Sequence, residues 1–171
     1  MKGGVVFFNL ILLALVFLAG CGSFPGSSSN PKIRMAFFVE QEPHRGEPVV
    51  DMKILRSNPR TVTVAARPVL ELGKGTLDAA VLREGTDGVL IFELYFTSQG
   101  ALLFQELTSR YKQQRLYVVV AQPGEEKKLE SRCLGVWFVQ DATNVRVIQF
   151  TPDAEQEEAI AMVEGINKEV R

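Results

Sequence analysis
His44 has the broadest chemistry of any side chain in this sequence of 171 residues, and it is the only histidine. It lies in the stretch Glu42-Pro43-His44-Arg45-Gly46-Glu47, where Glu42, His44 and Glu47 could in principle hold a metal. A structural zinc site wants four ligands from Cys, His and carboxylate at defined spacing, so the stretch reads as a solvated loop. Ser-His-Asp catalysis would have to draw on the same histidine, and no Gly-x-Ser-x-Gly elbow is present. No glycine loop follows the phosphate-cradling patterns. Among the carboxylates, Glu125 and Glu126 sit beside Lys127 and Lys128 in a polar turn. Asp153, Glu155, Glu157 and Glu158 suit the positive end of a helix. Glu93 is the exception, an acid inside the apolar run VLIFELYF, and it is expected to face solvent or pair with Arg or Lys. The expectation is a chain with no catalytic residue, no metal and no cofactor.

Two cysteines remain, and they read differently. Residues 1–20 have one early lysine, an apolar core of about a dozen residues and a small-residue end. That core is shorter than the roughly 20 residues needed to span a bilayer, and the pattern is that of a secretory signal peptide. Leu18-Ala19-Gly20-Cys21 resembles the bacterial lipobox, in which a peptidase cuts before the cysteine and the thiol carries diacylglycerol. Lipidation is therefore expected at Cys21, with the membrane as a partner through two or three acyl chains such as palmitate. The resulting address is the bacterial envelope, lipid-anchored and facing the periplasm. Gly22 stands where Asp commonly holds Gram-negative lipoproteins at the inner membrane, which points to the outer membrane. Residues 21–31, rich in Gly and Ser, read as a flexible tether. With Cys21 acylated, Cys133 is unpaired; its neighbours Leu134, Val136 and Trp137 mark it as a core residue.

The residues that would have to position any site form a single domain, residues 32–171. Formal net charge is −1 and no basic stripe appears, which argues against nucleic acid. Alternation over residues 33–39, 61–65 and 89–96 reads as strand, as do the apolar runs at 115–121, 134–139 and 145–150. Residues 49–55 give a weaker strand signal, and residues 69–72 read as an edge piece because Pro68 precedes them. Residues 76–82 fit either one helical turn or a strand start. Asp87-Gly88 between apolar runs is a hairpin signal, and the run at 89–96 belongs near a sheet centre. Leu103, Phe104, Leu107 and Tyr111 form a helical stripe that Thr97 or Ser98 can cap. Thr151-Pro152-Asp153 reads as the opening of a last helix with Ala159, Val163, Ile166 and Val170 on its buried face. The fold class is α+β: a mostly antiparallel sheet with two amphipathic helices packed on one face, in two layers.

The strand ending in Phe96-Thr97, followed by Gly100-Ala101 and then Phe104 and Thr108 along a helix, is a specific order. A strand at 116–120 follows, then a second Phe150-Thr151 before a helix containing Ala159. Over about residues 70–170 this resembles the periplasmic head subdomain of SecD, part of the SecDF accessory complex of bacterial protein export. The resemblance implies that fold, and a habit of contacting polypeptide in the envelope. It does not carry over proton-coupled translocation, which needs membrane helices. Two further departures stand out: Gln122-Pro123-Gly124 replaces the family's Asp-Gly turn, and Lys112-Gln113-Gln114 lacks its glycine. The function expected is a lipid-anchored, non-catalytic module for protein or peptide, acting through a sheet edge or an exposed sheet face. Alternatives are a carrier of small apolar ligands, needing a cavity of roughly 300–1,000 Å³, and a carboxylate hydrolase.

Overall fold
In the computed structural model, residues 33–41, 48–55, 59–123 and 129–171 are described. The strands are β1 (Arg34–Val39), β2 (Val49–Ile54), β3 (Arg60–Ala65), β4 (Leu70–Leu72), β5 (Leu77–Glu84) and β6 (Leu90–Phe96). Helix α1 (Ser98–Arg110) follows, then β7 (Arg115–Pro123), β8 (Leu129–Phe138), β9 (Val147–Phe150) and helix α2 (Gln156–Val170). The strands pair antiparallel throughout, in three sheets ordered β4-β1-β7-β8, β2-β3 and β5-β6-β9. The class is α+β, as the sequence pattern predicts, with the strands divided among three sheets. The stretch 76–82 resolves as strand from Leu77 onward, and Leu70–Leu72 forms the short edge strand β4.

Strand β7 explains the arrangement. Leu116 to Val120 is apolar without interruption, and all five side chains are buried. Such a run needs cover on both faces of its sheet. Leu116, Val118 and Val120 enter the main core, with Phe37, Phe104, Phe92 and the apolar faces of α1 and α2. Tyr117 and Val119 point the other way, into a second cluster with Met52, Val62, Val64 and Cys133. The β2-β3 hairpin therefore forms an extra layer beyond the two expected, opposite the helices. Each buried aromatic or aliphatic side chain contributes about 1.5–3 kcal/mol relative to exposure.

The β5-β6 hairpin closes where the Asp-Gly pair predicts. The Gly85 N–H donates to the Val89 carbonyl at 2.8 Å, and Gly88 takes φ +71°. Helix α1 starts at a true cap: Thr97 Oγ1 accepts from the Gly100 N–H at 2.9 Å and donates to the Gly75 carbonyl at 2.7 Å. A Cβ on Gly100 would overlap the Thr76 carbonyl oxygen, so only glycine allows this helix start to sit on the 73–76 turn. Phe104 stacks on Phe96 and on Trp137, both with centroids 4.9 Å apart. Thr108, fully buried, accepts from the Thr143 N–H and so ties the β8-β9 connection to α1.

The second helix corrects an expectation. It begins at Gln156, with Glu155 at the cap position, and Thr151, Pro152 and Asp153 lie outside it. Thr151 is exposed and caps nothing. Pro152, Asp153 and Ala154 are instead buried against β8, whose outer edge would otherwise be open. The Asp153 N–H donates to the Leu134 carbonyl at 2.6 Å, and the Asp153 carboxylate accepts from the Leu55 N–H at 2.7 Å. Arg132 donates to the Asp153 carbonyl and to Glu158. A polar backbone stretch buried this way satisfies itself on a sheet edge rather than in a helix. The buried face of α2 is Ala159, Met162 and Ile166, with Val163 and Val170 half-buried at its margin.

Candidate functional site
Period two divides the side chains of the β5-β6-β9 sheet between two faces. Phe92, Leu94, Phe96, Ile148 and Phe150 point into the main core. The opposite face carries Ala79, Tyr95 and Val147 in one cross-strand row, and Val81, Glu93 and Gln149 in the next. Arg83 and Ile91 pair beyond them. Ala79, Val81, Ile91, Tyr95 and Val147 are half-buried and belong to neither apolar cluster. The result is a shallow surface, apolar at its margins, with a charged centre.

Glu93 is that centre. It is only 4% exposed although it sits on the outward face, because its neighbours cover it. Its Oε2 accepts from Arg83 Nε and from the Tyr95 hydroxyl, each at 2.8 Å, and its Oε1 accepts from Gln149 Nε2 at 2.7 Å. The Arg83 hydrogen bond holds the Glu93 carboxyl below the usual carboxylate range, against the opposing effect of burial; Tyr95 and Gln149 add to the lowering. An acid fixed as an anion is no proton donor at neutral pH, so its role here is to anchor three side chains on one face of the sheet. The expected pairing with Arg or Lys is found in Arg83. Tyr95 and Gln149 were not anticipated, although hairpin register around Asp87-Gly88 places Arg83 diagonal to Glu93.

Other residues singled out by the sequence fall elsewhere. Cys21, Glu42, His44, Glu47, Glu125 and Glu126 lie outside the described residues. Cys133 is 1% exposed, and burial pushes its thiol up to about 11, consistent with a core residue. Among the described residues no group of three His, Cys, Asp or Glu is arranged to hold a metal. No described helix is long and apolar enough to cross a membrane. A cleft of about 360 Å³ opens beside β1 and β4, with Ala36, Phe38 and Val119 in its wall and Arg34, Glu71 and Lys74 among its polar residues.

No family model and no curated protein sequence matches this chain. Among solved structures it is similar to a chain of SecDF, described as a membrane component that enhances protein export, with TM-score 0.58 and 18% identity. That match covers 82% of this chain and 64% of the SecDF chain, so this chain spans less than two thirds of it. SecDF in a super-membrane-facing form also matches, with TM-score 0.47 and 12% identity, over 97% of this chain and 33% of the other. At such identities the likeness is one of fold: the domain of this chain is SecD-like.

Proposed function
We propose that this chain is a lipid-anchored lipoprotein of the bacterial envelope whose SecD-like domain binds protein or peptide without catalysis, in the service of protein export. The observation that carries the binding role is the outward face of β5-β6-β9. It is a preorganised antiparallel surface with half-buried apolar side chains and one fully bonded acid, and it belongs to neither core. The likeness to SecDF, a component that enhances export, supports the choice of polypeptide as partner. The lipobox-like Leu18-Ala19-Gly20-Cys21 supports anchoring through acyl chains on Cys21, with the domain facing the periplasm and the outer membrane favoured.

Crosslinking of the anchored protein in its native cells, followed by mass spectrometry, tests the role. Recovery of translocation components or exported chains is the expected result; recovery of lipid alone would sink it. Palmitate labelling tests the anchor separately: label is expected on the wild-type chain and absent from Cys21→Ser.

A second reading, a carrier of small apolar ligands, draws on the cleft beside β1 and β4, whose volume falls at the low end for such sites. Saturable binding of an apolar fluorescent probe, lost when Ala36→Trp fills the cleft, would favour it. The charged rim of Arg34, Glu71 and Lys74 weighs against it.

A further inference from the structure
The outer edge of β5 is closed in an unusual way. Ala80 pairs with Leu94 of β6, yet its backbone N–H and C=O both point away from β6. They meet the side-chain amide of Asn167 on α2: the Ala80 N–H donates to Oδ1 at 2.8 Å, and Nδ2 donates to the Ala80 carbonyl at 2.9 Å. A carboxamide is chemically a peptide group. Asn167 thus makes, with one side chain, the two bonds that a residue of a neighbouring strand would make.

The cover is partial. Backbone groups along a strand alternate in direction, so the N–H and C=O of Leu82 and Glu84 face the same way as those of Ala80. No hydrogen bond from a described residue reaches them. Among the described residues, one end of the β5 edge is therefore latched by α2, and the end next to the hairpin meets no partner.

We propose that the outer edge of β5 is a strand-addition site for an extended polypeptide segment, and that Asn167 is the latch that limits how far the added strand can run. This rests on the polypeptide-binding reading above and deepens it. The partner's class follows from the groups involved. An edge of alternating N–H and C=O recognises another backbone, and the group now seated there is an amide. A segment would pair first at Glu84 and Leu82. It could extend to Ala80 only by displacing Asn167 and lifting that part of α2. Side chains of the added strand would alternate between the outward face, beside Val81 and Arg83, and the core side, where α2 now lies.

The test uses the full chain in detergent and, as probe, a fluorescein-labelled peptide of alternating threonine and valine. Its control is the same peptide N-methylated at every second residue. Binding is read by anisotropy and located by amide hydrogen exchange. The expected results are saturable binding of the probe but not of the control, and slowed exchange at Leu82 and Glu84. Asn167→Ala should tighten binding about tenfold, as two competing hydrogen bonds are removed, and extend protection to Ala80. Glu84→Pro removes an outward N–H at an exposed position without touching α2, and should abolish binding while leaving the melting curve close to wild type. Protection at β4 instead of β5 would overturn the site but leave the polypeptide-binding reading standing. Equal affinity in wild type and Asn167→Ala, with both folded, would overturn the latch. Failure of the probe to bind any variant would overturn the proposal even if cellular crosslinking recovers a partner.

Discussion
Glu93 shows how one residue can be costly alone and useful in company. A carboxylate removed from water needs a partner for each oxygen, and here Arg83, Tyr95 and Gln149 supply them. Because Arg83 remains 60% exposed, the pair is open to solvent on one side and its strength is screened. The linkage has a definite sign. The folded carboxyl titrates below its unfolded value of about 4.3, so its stabilisation is present above that value. It is lost as pH falls through the lower folded value. Glu93→Gln should therefore lower the melting temperature at neutral pH, and the two proteins should converge on acidification below about pH 4. Melting curves from pH 7 downward check this; a gap that widens in acid would contradict it.

At the scale of elements, both ends of α1 depend on backbone geometry, at the start in addition to the Thr97 side-chain cap. Gly100 lies where a Cβ would strike the Thr76 carbonyl, a main-chain atom that cannot rotate away. Gly100→Ala should cost about 1–3 kcal/mol in urea denaturation, despite alanine's better helix propensity. At the other end, Gln113 has φ +61°, the only positive φ at a non-glycine position among the described residues. The SecD-like pattern has glycine in this turn, so the absence noted in the sequence is a residue held in the left-handed region. Gln113→Gly relieves that strain but forfeits the exposed side-chain bond to the Gln140 carbonyl. A net stabilisation of up to about 1 kcal/mol is expected. These elements mark how far the sequence could be read. Alternation and the Asp-Gly turn point to β6 and its central place, and the stripe Leu103, Phe104, Leu107 and Tyr111 behind Thr97 points to α1; residues 76–82 fit helix or strand until their pairing with β6 decides for strand. The second Phe-Thr misled, because Thr-Pro-Asp has the chemistry of a helix start as well as of an edge-covering linker. Only the tertiary position of β8 decides between them. Asn167 could not be found at all, since helical periodicity shows which face is apolar and not which polar side chain meets a strand.

For the whole molecule, the central four-stranded sheet is shared by two apolar clusters of unequal size. The larger binds both helices and the β5-β6-β9 sheet; the smaller binds only the β2-β3 hairpin. Among the described residues those two strands pair with each other alone, apart from a bridge between Glu40 and Val64 and a bond from the Gln41 N–H to the Thr63 carbonyl. A two-stranded hairpin is marginal by itself, so its place depends on Met52, Val62 and Val64 against Tyr117, Val119 and Cys133. The hairpin should therefore open before the rest of the domain unfolds. Cys133 reports that opening. Shut in, its thiol is raised to about 11 and inaccessible; exposed, it should titrate near its ordinary value of about 8.5 and react with a thiol reagent. Val64→Ala removes two methyl groups from a fully buried site and should weaken the smaller cluster by about 2 kcal/mol. Thiol labelling at mildly alkaline pH and hydrogen exchange can be followed together. The expected outcome is faster labelling of Cys133 and faster exchange at Met52 and Val62, with Phe92 and Leu94 of β6 unchanged. If β6 amides accelerate in step with the hairpin, the two clusters unfold as one unit and the hairpin is no separate layer.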